Sequence, residues 1–164
     1  MERVNWILGF LILLGIIFLG IFFDVLGIAS AAAEERPFHA MASERMIGSR
    51  QAILVVRNAD QFANFCNDVV GDISGILSGA AAISVLAQMV RRFPELGYWE
   101  AAANVLMTAL VAAMTVGGKA LGKTFAMQNA NPIVLQVGRV LFFLEHRLHI
   151  RFFAKSQSRT GRGL

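Results

Sequence analysis

Charge is what this sequence has least of. Asp, Glu, Lys and Arg make up 16% of its 164 residues, against roughly 25% in an ordinary soluble domain, while 56% are hydrophobic and the mean hydropathy is +0.59. That balance excludes a conventional water-soluble globule and points to a membrane chain. There is one cysteine, Cys66, so an internal disulfide and a multi-cysteine metal site are both excluded, and Cys66 reads as a small buried residue. The three prolines, Pro37, Pro94 and Pro132, fall at the edges of apolar segments. The length permits one compact domain and leaves no room for a second module of usual size, so the function must lie in the membrane part.

What is present in quantity is apolar run. The stretch "VNWILGFLILLGIIFLGIFF" has no charge before Asp24, and "VLGIASAAA" continues to Glu34. A helix of that combined length would reach ~45 Å, longer than a hydrocarbon core of ~30 Å, so it is expected to tilt, bend near Gly27 or emerge from the bilayer. A signal peptide is the competing reading, because "ASAAAEE" resembles a cleavage site; the apolar stretch is longer than an h-region of roughly 7–15 residues and a carboxylate interrupts it. A second apolar segment, "NDVVGDISGILSGAAAISVLAQMV", ends at Arg91 and Arg92. Gly71, Gly75 and Gly79 repeat in it at four-residue spacing, which lets another helix approach closely. The third segment runs from near Ala101 into "VGGKALGKTFA".

The expected fold is therefore an all-α integral membrane protein with three transmembrane helices, spanning about 4–33, 67–90 and 101–126, and with interfacial amphipathic helices over 37–64 and 132–154. Residues 1–155 form the membrane domain, and 156–164 are a basic disordered tail. Region 34–60 balances four acids against four arginines and reads as helices lying on the membrane surface, with Pro37 in a first turn and Gly48 separating two short apolar faces. The last apolar helix opens at Pro132; a fourth span with Arg139 snorkelling is its alternative. The net charge of +4 gathers at the C-terminal end, where Arg139, Arg147, Arg151, Lys155, Arg159 and Arg162 face Glu145. Anionic lipid headgroups are the simplest partner for that end, and no nucleic-acid partner is expected. The positive-inside rule puts the C-terminus in the cytoplasm, in a multi-pass protein of the plasma or inner membrane.

Five charges fall in or beside the spans: Asp24, Asp68, Asp72, Lys119 and Lys123. An isolated charge in hydrocarbon costs at least about 2.5–3.5 kcal/mol, so such residues are paired, functional or at the interface. One reading puts all five at helix ends among headgroups. The other gathers them with Asn67, Ser74, Thr108 and Thr115 in a polar pocket between the spans, where Asp24, Asn67 and Asp72 would be the oxygen ligands of a hard cation. Two lysines would repel that cation, so the pattern by itself leaves an ion path and an internal salt bridge both open.

The order of parts, with "RQAILVVRNADQFANFCND" before a small-residue-rich second span and "GKALGKTFAMQNANPIVLQVGRVLFFL" closing the third, resembles the transmembrane domain of the CNNM and CorB/CorC magnesium-transporter family over nearly the whole chain. The resemblance implies a homodimer through the glycine-rich faces, magnesium as the ion, and a Gly-Glu-Ile-x-Pro-Lys-Thr-like motif at residues 118–124. Here the motif glutamate falls on Lys119 and its proline on Gly122, while Lys123 and Thr124 match. The family's Gly-Asn pair falls on Cys66 and Asn67, a further asparagine on Gly71, and its first-span serine at about Asp24. The regulatory domains that usually follow are absent from this sequence, which leaves open a separate regulatory subunit that carries them. A lysine at the glutamate position would imitate the bound cation permanently.

Two function classes follow. The first is cation transport or an ion-linked role at a departed site; the second is a non-transporting membrane subunit or scaffold whose Asp/Lys cluster is structural. No catalytic residues are assigned and no cofactor is assigned from the residues themselves; Mg²⁺ enters only as what the resemblance implies. His39, His146 and His149 lack the carboxylate or cysteine constellation an enzyme would need. Residues 117–124 satisfy the phosphate-loop pattern letter by letter, but they follow an apolar segment of span length where the mechanism requires a strand.

Overall fold

The computed structural model describes residues 6–92 and 98–148. Among them every regular element is helical: α1 (Trp6–Ala32), α2 (Glu35–Ser43), α3 (Ser49–Arg57), α4 (Ala59–Asn64), a π-helical turn (Phe65–Val70), α5 (Gly71–Arg92), α6 (Glu100–Gln128) and α7 (Ala130–Leu148). Three helices are long and apolar enough to cross a membrane: α1, the continuous run Ala59–Arg92, and α6. His149 and the basic tail lie outside the described residues.

The buried residues of α1 form one stripe, Leu13, Ile17, Gly20, Asp24 and Gly27, spaced alternately four and three apart as helix-on-helix packing requires. The facing stripe of α5 is Gly71, Ser74, Ser78, Ala82 and Val85. The two helices run antiparallel in step, since Gly9 meets Val85, Gly20 meets Ser74 and Gly27 meets Asn67. Eleven residues from Gly9 to Gly20 match eleven back from Val85 to Ser74, and seven more reach Asn67. A Cβ on Gly20 would stand 2.9 Å from that of Ser74, so the small residues set how closely the helices approach. Helix α6 runs parallel to α1, with Gly118 against Ile21 and Gly122 against Val25. Helix α1 continues through Gly27 to Ala32; the glycine serves to admit Asn67, where the sequence had suggested a bend.

This up-down-up order brings the end of α1, the start of α5 and the end of α6 to one end of the bundle. There α2, α3 and α7 pack as a platform around Phe38, Ala52, Val55 and Val134, joined by Ala29 of α1 and Ala126 of α6. A second apolar cluster, Leu13, Ile17, Ala82 and Val111, lies within the three long helices. The outer faces of those helices remain apolar: Phe18, Phe22, Ile76, Leu106 and Leu121 are all exposed.

Polar ties hold the platform. Glu34 N donates to Asn131 Oδ1 at 3.0 Å, joining the start of α2 to α7, and Gln51 Nε2 donates to Glu145 Oε2 at 3.1 Å, joining α3 to α7. Glu35 Oε1 takes His39 Nε2 and Arg57 Nε, each at 2.7 Å, and so clamps α2 to α3. These hydrogen bonds from His39, then Arg57, hold the Glu35 carboxyl below its ordinary range. Gly48, at φ 87°, starts α3 in a backbone conformation that favours glycine.

Candidate functional site

Between the two apolar clusters lies one polar centre. Asp24 is buried on the inner stripe of α1, and its Oδ1 stands 3.7 Å from Lys119 Nζ of α6. That separation makes an ion pair and is longer than a hydrogen bond. The second carboxylate oxygen, Asp24 Oδ2, is buried and has no hydrogen-bond partner among the described residues; the same holds for Asn67 Oδ1. Lys119 also reaches α5, with Nζ 3.4 Å from where a Cβ on Gly71 would lie. All three long helices therefore contribute to the centre.

The depth of the pair follows from helix geometry. Asp24 is eight residues before the end of α1 and Lys119 nine before the end of α6, or ~12 Å and ~13 Å along helices that rise ~1.5 Å per residue. Parallel packing sets these offsets at one level.

The π-helical turn is the local cause of Asn67's position. The Gly71 N–H reaches the Cys66 carbonyl five residues back, which widens the helix by one residue, a device frequent at functional sites. Ser74 Oγ donates to the Val70 carbonyl at 2.7 Å. The Ser30 hydroxyl donates to the Gly27 carbonyl, also at 2.7 Å.

The candidate charges do not all meet. Asp68, Asp72 and Lys123 are exposed and form no ion pair among the described residues, so Asp24, Asn67 and Lys119 are the members brought together. Gly71 is buried beside Lys119, whereas Gly75 and Gly79 would meet nothing within 4 Å if given a Cβ. They line an open groove of about 280 Å³ between α5 and α6 with Ser78, Thr108 and Thr115. Both threonine hydroxyls donate within α6, to Asn104 and Val111 carbonyls. Ser74 packs against Gly20 and stays out of the groove.

Residues 117–124 lie wholly within α6. Their amides are committed to helical hydrogen bonds and cannot cradle a phosphate. No group of three or more His, Cys, Asp or Glu able to hold a metal occurs among the described residues. His39 is taken up by Glu35, and His146 stacks on Phe142 with ring centroids 6.1 Å apart.

Comparison with known protein families, with curated proteins and with solved structures finds no match to this chain.

Two contributors to the centre escape a residue-by-residue reading of charge. Gly20 and Gly27 shape it by what they lack, and their signal was available as glycines seven apart in α1, matching Ser74 and Asn67 seven apart in the partner. The π-helical turn has no comparable signature.

Proposed function

We propose that this chain is an integral membrane protein of three spans whose central cation position is filled by its own lysine, so that it serves as a non-transporting membrane subunit or scaffold. The observation that carries this reading is Lys119 Nζ at 3.7 Å from Asp24 Oδ1. The exposed apolar faces of α1, α5 and α6 call for lipid, and a helix end at the interface would put the pair near the middle of a ~30 Å core. At that depth an unpaired carboxylate is costly and a paired one is tolerable.

The likeness to the CNNM and CorB/CorC transmembrane domain rests on the residues 118–124 motif and the order of the segments. Under it, the residues present do not fit a magnesium ion: Asp24 supplies the one buried carboxylate of the centre, and an ammonium already neutralises it. Association of two copies through Gly75 and Gly79, a separate regulatory subunit, and a plasma-membrane site with the platform and C-terminus on the cytoplasmic face complete the proposal.

One observation favours the second reading, cation transport or an ion-linked role. Asp24 Oδ2 and Asn67 Oδ1 are two buried acceptors without partners, which is chemistry suited to a cation. The experiment that separates the two is thermal unfolding of purified protein with Mg²⁺, Na⁺ or K⁺, joined to ion flux in liposomes. The closed-centre reading expects no cation-dependent stabilisation and no flux in the wild type, and magnesium stabilisation to arise in Lys119→Glu. Flux or cation stabilisation in the wild type overturns it.

A further inference from the structure

The loop from α2 to α3 turns through two left-handed residues, Arg45 at φ 59° and Gly48 at φ 87°. Such a conformation disfavours a residue with a side chain, yet here it projects Arg45 beside Met46 and Ile47, with Ile47 63% exposed. Gly48 lies on Arg139 of α7: a Cβ there would stand 2.6 Å from Arg139 N and 2.8 Å from its Cγ. The stem of Arg139 therefore starts against the loop, and exposed Arg50 follows in the first turn of α3. Helix α7 continues from Arg139 with exposed Val140, Phe142 and Phe143.

Arg57 is paired with Glu35. Arg45, Arg50 and Arg139 form no ion pair among the described residues; the acids nearest to them in sequence are Glu44, beside Arg45, and Glu145, six residues after Arg139 and held by Gln51. The contact of Gly48 with Arg139 thus brings the backbone of the Arg45–Arg50 segment to α7 at Arg139, and all three arginines are exposed and outside any ion pair among the described residues. Guanidinium groups bind phosphate through paired N–H donors. The apolar side chains have no role against a free anion, but they suit the boundary between headgroups and acyl chains.

We infer that this junction of the loop with α7 seats the headgroup of an anionic phospholipid, with Arg45, Arg50 and Arg139 holding the phosphate while Met46, Ile47, Val140 and Phe143 enter the acyl boundary. The seat rests on the membrane reading above and is independent of whether the Asp24–Lys119 centre is closed.

The test uses the full chain in detergent, with thermal unfolding and native mass spectrometry in mixed micelles of phosphatidylglycerol or phosphatidylcholine. Phosphatidylglycerol is expected to raise the unfolding midpoint and remain bound. Each of R45Q, R50Q and R139Q should weaken this about fivefold and the triple variant on the order of a hundredfold, as follows from roughly 1 kcal/mol per cation at a lipid surface. The pair R91Q/R92Q, at the far end of α5, should leave it unchanged. Equal stabilisation by phosphatidylcholine, equal loss in R91Q/R92Q, or equal stabilisation by inorganic phosphate each overturns the seat. Should the triple variant not fold, the single variants decide, and failure of all three to weaken binding overturns it. Partitioning into vesicles of both lipids without preference removes the seat alone; protein that stays soluble without detergent and ignores both vesicles removes the membrane reading as well.

Discussion

Asn67 lies against Gly27, its amide carbon 3.0 Å and its amide nitrogen 3.2 Å from where a Cβ on that glycine would be. Helix α1 and the π-helical turn thus meet one helical turn beyond Asp24, and the space left by a missing side chain fixes where the amide can lie. Seven residues earlier, Gly20 receives Ser74 in the same way. The buried carboxylate sits between these two contacts, so its surroundings are set by backbone approach more than by its own hydrogen bonds.

Gly27→Ala should therefore cost about 1–3 kcal/mol, the usual price of overpacking, because the asparagine must leave or the helices must separate. Gly15→Ala meets open space and should be neutral or gain up to ~1 kcal/mol from helix propensity. Unfolding in mild detergent measures both. Equal losses at the two positions would contradict the packing described.

The platform makes a second such demand. Gly138 lies against the α3 N-terminus, with a Cβ there 2.9 Å from Ala52 N, and Gly48 combines a tight contact to Arg139 with its left-handed φ. Gly138→Ala and Gly48→Ala should each loosen α3 from α7, by about 1–3 kcal/mol and with added backbone strain at Gly48. Faster hydrogen exchange in α3, with α1 and α5 unchanged, is the expected signature. Uniform exchange across all helices would show that the platform does not open as a unit.

Long uncharged runs were legible in the sequence because span length is a one-dimensional property: α1 and α6 follow from counting apolar residues. The amphipathic segments before and after them followed from their mixed charge, and Gly48 from its place between two apolar faces. Which charges meet was not legible. Asp68 and Asp72 share a helical face with each other, and the π-helical turn alters which face of that helix Asn67 presents. Asp24 and Lys119 are ninety-five positions apart, so their pairing depends on how α1 and α6 align, and that alignment rests on Gly118 and Gly122 admitting Ile21 and Val25. The glycines of α6 were visible; their partners were not.

The Glu35 clamp gives the platform a pH dependence of known sign. Its carboxyl titrates below the ordinary glutamate range because His39 and then Arg57 hydrogen-bond the ionised form. A depressed folded-state value means that this stabilisation is present above the unfolded value and is lost as pH falls through the lower folded one. Local unfolding of α2, followed by proteolysis after Ser43, should rise as pH drops through and below the ordinary glutamate range. Glu35→Gln should remove that acid limb and leave behaviour at neutral pH closer to the wild type than to a core variant. An acid limb retained in Glu35→Gln assigns it to another carboxylate.

The Asp24–Lys119 pair makes the most discriminating prediction. At 3.7 Å and an effective dielectric of about 20, the attraction is on the order of 4 kcal/mol, and removing both groups from water offsets much of it. The net worth of the pair is therefore small, while the cost of breaking it from one side is large. Lys119→Met should destabilise by about 3–5 kcal/mol by leaving Asp24 buried and uncompensated. Adding Asp24→Asn should recover part of that loss, since the double variant buries no net charge. A double-mutant cycle on unfolding free energies should then give a coupling within about 0.5–3 kcal/mol. Additive losses, or a Lys119→Met variant as stable as the wild type, would show that the ammonium does not hold the carboxylate.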